Sequence, residues 1–113
     1  MALSYEGHCR LTRRETQRRI DFMRLKHPEW FGGVFHLTDA QGLGPFGLEI
    51  ARTFGVEAKC RFNLHLLNHD WLDEAREALE YVYQVFGTAD LLITFENDAP
   101  RPPLREYPPM NIG

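Results

Sequence analysis

The sequence predicts an α+β fold, a two-layer sandwich with the ferredoxin-like order βαββαβ and a short extra helix between strands 2 and 3. Strand-like and helix-like segments alternate along the chain, and the clearest strand pattern, at 58–66, is apolar at every second residue. Strands that are buried on one side and exposed to solvent on the other are typical of an antiparallel sheet that helices cover on one face. The alternative is a small three-layer α/β fold in which the short helix forms the crossover connection between two strands of the sheet.

The first two elements are a strand and a capped helix. Residues 2–8 alternate between apolar and polar side chains, as a strand does. Thr12 and Glu15 have the spacing of a capping box, so the first helix should run over 13–26. Pro28 ends it, because proline disfavours helical geometry in the residue before it.

The glycine-rich stretch 40–50, AQGLGPFGLEI, contains a literal G-x-G-x-x-G. A dinucleotide site also needs a buried parallel strand before the glycines, a long helix after them and an acidic residue about 20 positions on. Here Gly55 follows Gly47 by only eight residues, and 61–63 read Arg-Phe-Asn. The sequence therefore predicts a turn into a short helix from Pro45, and no cofactor.

Three strands and one helix complete the pattern. The second strand is predicted at 34–38, the third at 58–66 and the last at 91–96. The last helix is predicted at 70–86, with Asp70 as its amino-terminal cap and Gly87 as its end. Its apolar stripe has spacings of 3 and 4 and comprises Leu72, Ala75, Leu79, Val82 and Phe86.

One domain is expected, because 113 residues are close to the commonest domain size. Residues 1–97 would form it. Residues 98–113 hold five of the seven prolines and are predicted to be a tail that packs loosely or is disordered. The alternative is a docking segment with apolar anchors.

Composition indicates a cytoplasmic protein without a membrane partner. No apolar run approaches the ~18 residues that span a bilayer, and the first ten residues lack the order of a secretory signal. Cys9 and Cys60 form no CxxC, so two buried free thiols are expected rather than a disulfide.

The charge is segregated along the chain. The net charge is −3, yet residues 13–26 carry six basic and two acidic side chains, and residues 70–80 carry five acidic side chains and one arginine. Two helices of opposite charge either complement each other, face solvent, or meet a charged partner.

The polar face of the predicted sheet collects three histidines: His8, His36 and His65. In one interpretation the protein is a small enzyme or ligand-binding protein that forms a homodimer. His36 and His65 then do acid–base chemistry beside an anion-holding Arg61. Nothing fixes the three imidazoles in register, so no metal site is predicted and a solvated or dimer-forming face is favoured.

The chain lacks a catalytic signature, which favours a small interaction module without catalysis. We expect an inhibitor or regulator of a partner protein, of the bacterial, phage or plasmid type, such as an immunity or anti-defence protein. Arginines and aromatic residues dominate binding hot spots. The expected surface contacts are therefore Arg19, Arg24, Trp30, Phe31 and Tyr107.

Nucleic-acid binding through the basic helix 13–26 is the third interpretation. Its arginines suit phosphate contacts. The chain as a whole is acidic, however, and the sheet face lacks the aromatic platform of single-strand RNA readers. Nucleic acid is thus a less favoured partner than protein.

Overall fold

One antiparallel sheet and the helices that pack on it make up the fold. The computed structural model describes residues 3–53, 55, 57–96 and 99–112, and of residues 46, 47, 50 and 51 only the backbone. The strands are β1 (Ser4–Cys9), β2 (Phe35–Leu37), β3 (Gln41–Gly42), β4 (Cys60–Leu66), β5 (Leu91–Phe95) and β6 (Ala99–Pro100). The helices are α1 (Arg13–Lys26), α2 (Pro45–Thr53) and α3 (Leu72–Phe86), with a wide helical turn at Trp30–Val34 and a 3-10 turn at His69–Trp71.

The strand order across the sheet is β2-β4-β1-β5-β6. Each pairing between the described strands is antiparallel. β2 lies opposite the end of β4, whereas β3 lies opposite its beginning, so both share one neighbour. The predicted α+β class with an antiparallel sheet is therefore confirmed, and β1 and β4 occupy its centre.

Helix α1 has the predicted bounds because its signals are local. The Thr12 hydroxyl accepts the Glu15 N–H at 3.2 Å, and the helix ends at His27, before Pro28. The Glu15 carboxylate bonds to Arg18 and Arg19 instead of reaching back to the cap, so half of the predicted capping box forms. Within the described ranges, none of the helices is both long and apolar enough to cross a bilayer.

The core lies between the sheet and the helices α1 and α3. Alternate residues of β4 are buried, as its pattern predicts, and face the buried sides of both helices. Phe62 is fully buried and stacks on Phe86 of α3 at 5.3 Å between ring centroids. Its ring also lies over Gly7 of β1, where a Cβ would be only 2.4 Å away. The two layers thus meet directly over the central strands.

The start of α3 differs from the prediction. Asp70 is not the cap, because the side chain of Asn68 accepts the Asp70 N–H at 2.9 Å and starts the 3-10 turn that precedes the helix. Leu72 was expected in the core stripe but is 42% exposed. The other four members of the stripe are buried, so the helix turns its apolar side inward only from Ala75 onward.

The carboxy-terminal segment makes several hydrogen bonds to the rest of the chain. β6 pairs with β5, and the Arg101 N–H donates to the Ile93 carbonyl at 2.7 Å. The Thr88 N–H donates to the Tyr107 carbonyl, the Tyr107 N–H donates to the Thr88 hydroxyl, and the Tyr107 hydroxyl donates to Glu80. The predicted domain boundary between residues 97 and 98 lies outside the described residues.

The two cysteines are free and buried, as expected. They face each other across β1 and β4, and the Thr16 hydroxyl lies 3.3 Å from Cys9 Sγ and 3.0 Å from Cys60 Sγ. The hydrogen bond with Cys60, together with burial, raises the pKa of Cys9 far above its usual value. Cys9 is therefore a structural thiol and not a nucleophile.

Candidate functional site

The centre of the sheet's second face is buried, in contrast to the wet face that the alternation predicts. Glu6, His8 and Thr94 are all buried there. The Thr94 hydroxyl donates to Glu6 Oε2 at 3.3 Å, so it accepts from His8 Nε2, also at 3.3 Å. The register explains the contact, since Glu6 of β1 lies directly opposite Thr94 of β5.

His8 is a neutral residue of the interior. Burial lowers its pKa to about 4, with a smaller contribution from the Arg61 guanidinium. With Nε2 as the donor to Thr94, Nδ1 is left as an acceptor, and it has no partner among the described residues. A buried imidazole of this kind does not meet a substrate from solvent.

The three histidines do not converge. His36 and His65 lie opposite each other on β2 and β4, with ring centroids 6.1 Å apart. His65 Nδ1 is also 3.1 Å from Ser4 Oγ. Arg61 is four residues from His65 on the same strand, roughly 13 Å at the usual rise, and lies opposite His8. The described residues contain no group of three metal-ligating side chains.

Two of the expected contact residues, Arg19 and Phe31, make contacts within the fold. Arg19 is 11% exposed, and its guanidinium bonds to Glu15 at 3.1 Å, to the Met110 carbonyl at 3.0 Å and to the Val85 carbonyl. Phe31 is buried in the core. The surface position expected for Phe31 is therefore wrong, whereas Arg19 keeps a small accessible area.

The other three are half-buried and keep some accessible surface. Arg24 donates to Asp39 at 2.8 Å and to the Leu37 carbonyl at 2.7 Å. Trp30 stacks on His27 at 4.3 Å between centroids, and Tyr107 holds the carboxy-terminal segment. Contact of any of the five residues with a partner stays a prediction.

The basic helix carries its own counter-charges. Arg18 pairs with Glu15 at 3.1 Å, and Arg24 pairs with Asp39 on the loop after β2. The side chains of Arg13, Arg14 and Arg18 line one open hollow together with Asp21 and Asp39. This alternation of sign weakens the positive field that phosphate binding needs.

A surface that sequence reasoning missed lies where α3 begins. We call it the Trp71 surface and define it by three exposed apolar side chains, Leu67, Trp71 and Leu72, and four acidic ones, Glu29, Asp70, Asp73 and Glu74. Trp71, Gly33, Val34, Glu29 and Glu74 line a hollow of about 160 Å³. The one sequence signal for it is that Trp71 falls outside the apolar stripe of the helix.

No curated protein matches the sequence. Among solved structures, a chain of the CdiA-CT/CdiI toxin and immunity complex from Burkholderia pseudomallei has the same fold, with a TM-score of 0.82 at 20% sequence identity. The alignment covers 90% of this chain and 99% of that one. A protein-family model described as CDI System Immunity Component matches residues 1–99. Because that match spans most of the sequence, the chain belongs to the CDI System Immunity Component family.

Proposed function

We propose that the chain is an immunity protein that binds a CdiA-CT toxin and blocks its action by occupying its surface. The observation that carries this proposal is the family match over residues 1–99. The solved relative of the same fold comes from a complex of a toxin with its immunity protein. A protein that acts in this way has to bind the toxin, and binding alone is sufficient for it to block the toxin's surface.

The side chains described above support binding over catalysis. His8 is buried, His36 and His65 stand apart from Arg61, and Cys9 is held as a buried thiol. A general base or a nucleophile must reach the reacting atom within hydrogen-bond distance. These residues do not form such an arrangement, whereas exposed aromatic and charged groups suit protein recognition.

The proposal also covers the topology of the sheet and the compartment in which the protein acts. The order of the four longer strands, β2-β4-β1-β5, with α1 after β1 and α3 after β4, supports a ferredoxin-like arrangement of residues 1–97. The carboxy-terminal segment would lie against this domain as an extended stretch of chain. The buried free thiols Cys9 and Cys60 support action in the reducing cytoplasm.

Co-expression tests the proposal in cells. The CdiA-CT toxin of the same strain would be induced with and without this chain, and with an unrelated toxin as the specificity control. We expect growth to be protected from the first toxin only, and the two proteins to purify together. Growth arrest despite a folded, abundant chain would overturn the proposal.

A further inference from the structure

The apolar side chains of the Trp71 surface are exposed to solvent and lie outside the buried core. Leu67 is 54% exposed, Trp71 40% and Leu72 42%. They are neighbours: the Leu67 N–H donates to the Val34 carbonyl at 2.9 Å, and Val34 lines the same hollow as Trp71. The two most exposed large apolar residues elsewhere, Leu25 and Leu104, lie on α1 and on the carboxy-terminal segment, and such single exposures are ordinary.

Four carboxylates surround these apolar groups, and among the described residues Glu29 contacts His27 at 2.7 Å and Asp73 contacts one arginine. Glu29 and Glu74 line the hollow itself, and Asp70 and Asp73 flank Trp71 and Leu72 in the chain. Of the nearby cations, Arg76 meets Asp73 at 3.8 Å, with both side chains largely exposed, which is a weak interaction. Four of the five arginines of α1, by contrast, are engaged with Glu15, Asp39 or backbone carbonyls: Arg13, Arg18, Arg19 and Arg24.

We propose that the Trp71 surface is where the toxin docks, and that the facing surface of the toxin is basic and has an apolar recess that receives Trp71. This inference rests on the proposed function and specifies its contact. A tryptophan that becomes fully buried within a ring of charge has the composition of a binding hot spot. Acidic groups around it would attract a basic partner and fix its orientation.

The charge complementarity favours this surface over the other two candidates. The hollow on α1 mixes acidic and basic side chains, and the exposed His36 on the sheet face lies opposite a second imidazole, that of His65. Neither of them joins an apolar anchor to charges of a single sign. The toxin should therefore meet the start of α3 and the wide turn at Trp30–Val34.

Binding of the toxin to matched variants tests this surface. The variants Trp71→Ala and Glu74→Lys alter it, whereas Leu25→Ala and Glu106→Lys make the same kinds of change elsewhere on the exposed surface. We expect the first two to raise the Kd for the toxin by about tenfold or more and the controls to change it by less than about twofold. The Kd of the unaltered chain should also rise with salt.

The outcomes separate the two proposals. Circular dichroism melts check that each variant is folded, and Glu74→Lys serves as the second probe because an exposed helix residue tolerates the change. If the unaltered chain binds the toxin and both variants bind equally well, the docking surface is wrong and the proposed function stands. If the unaltered chain does not bind, the proposed function fails, and this inference fails with it.

Discussion

The ring of Phe62 lies across Gly7, and this contact sets how closely α3 approaches the sheet. A Cβ on Gly7 would sit 2.4 Å from the ring. In an ordinary strand, alanine is more favourable than glycine, because glycine loses more conformational entropy on folding. Overpacking reverses that sign here, since the Phe62 ring is held between β1 and Phe86.

We therefore expect Gly7→Ala to lower the free energy of unfolding by about 1–3 kcal/mol. Urea denaturation followed by circular dichroism measures it. Gly32 is the matched control, because nothing lies within 4 Å of a Cβ built there. Equal stability of Gly7→Ala and Gly32→Ala would show that the ring is not packed against the strand.

His8 gives the protein a specific pH dependence. Its pKa is about 4 in the folded state, below the ordinary value of 6.5, because burial disfavours the charged form. Between those two values the unfolded chain takes up a proton that the folded chain does not. The stabilisation is thus fully present above pH 6.5 and is lost as the pH falls toward 4.

We expect the free energy of unfolding to drop by up to about 3 kcal/mol between pH 7 and pH 4. The depressed pKa values of Glu29 and Asp39, which hydrogen bonds to His27 and Arg24 cause, act in the range below about pH 4.5. Denaturation curves at several pH values measure the slope. In His8→Gln most of the slope above pH 4.5 should disappear, and an unchanged slope would contradict a buried neutral imidazole.

At the scale of elements, the sequence predicts the ends of a helix correctly where the contacts that determine them lie within a few residues. Thr12 and Pro28 set the ends of α1 from within a few residues. The start of α3 was misplaced because Asn68, two residues before Asp70, takes the capping role. The binding of the carboxy-terminal segment depends on partners far away in sequence, such as Ile93 and Val85, which no local pattern reveals.

Arg19 joins three elements and should matter for stability. Its guanidinium reaches Val85 at the end of α3 and Met110 of the carboxy-terminal segment from α1. A lysine has no planar fork and cannot reproduce this set of bonds. We expect Arg19→Lys to lower the free energy of unfolding by about 1–3 kcal/mol.

Arg18 provides the matched control, because it lies next in the helix and forms an exposed pair with Glu15. Arg18→Lys should change stability by less than about 0.5 kcal/mol. Thermal and urea unfolding of the two variants measure the difference. Equal effects at both positions would mean that Arg19 does not hold the carboxy-terminal segment.

At the scale of the whole molecule, family membership confirms the expected immunity-type interaction protein. The absence of a catalytic motif and the segregation of charge favoured that class over the enzyme and nucleic-acid alternatives. They did not identify the proposed docking surface. Arg19 and Phe31 have the right residue types, but Phe31 is buried and Arg19 bonds to groups of its own chain. Trp71, by contrast, is exposed because the turn that Asn68 starts places it before the helix.

The sheet face shows the same limit for the alternative site. Strand alternation places His8, His36 and His65 on one face, yet it cannot say which strands are neighbours. The register puts His36 beside His65 and leaves His8 in the buried row with Glu6 and Thr94. Identifying a site requires both the face of the sheet on which each side chain lies and the order of the strands. The sequence predicts the face but not the strand order.

Calorimetric titration of the purified chain into the CdiA-CT toxin of the same strain tests the central claim most directly. We expect saturable binding in a 1:1 ratio with a Kd of about 1 μM or tighter, the range of a specific protein interface. Toxin that releases no heat and forms no complex at tens of micromolar, roughly tenfold above that limit, while the chain is folded, would contradict the assignment of this protein as its inhibitor.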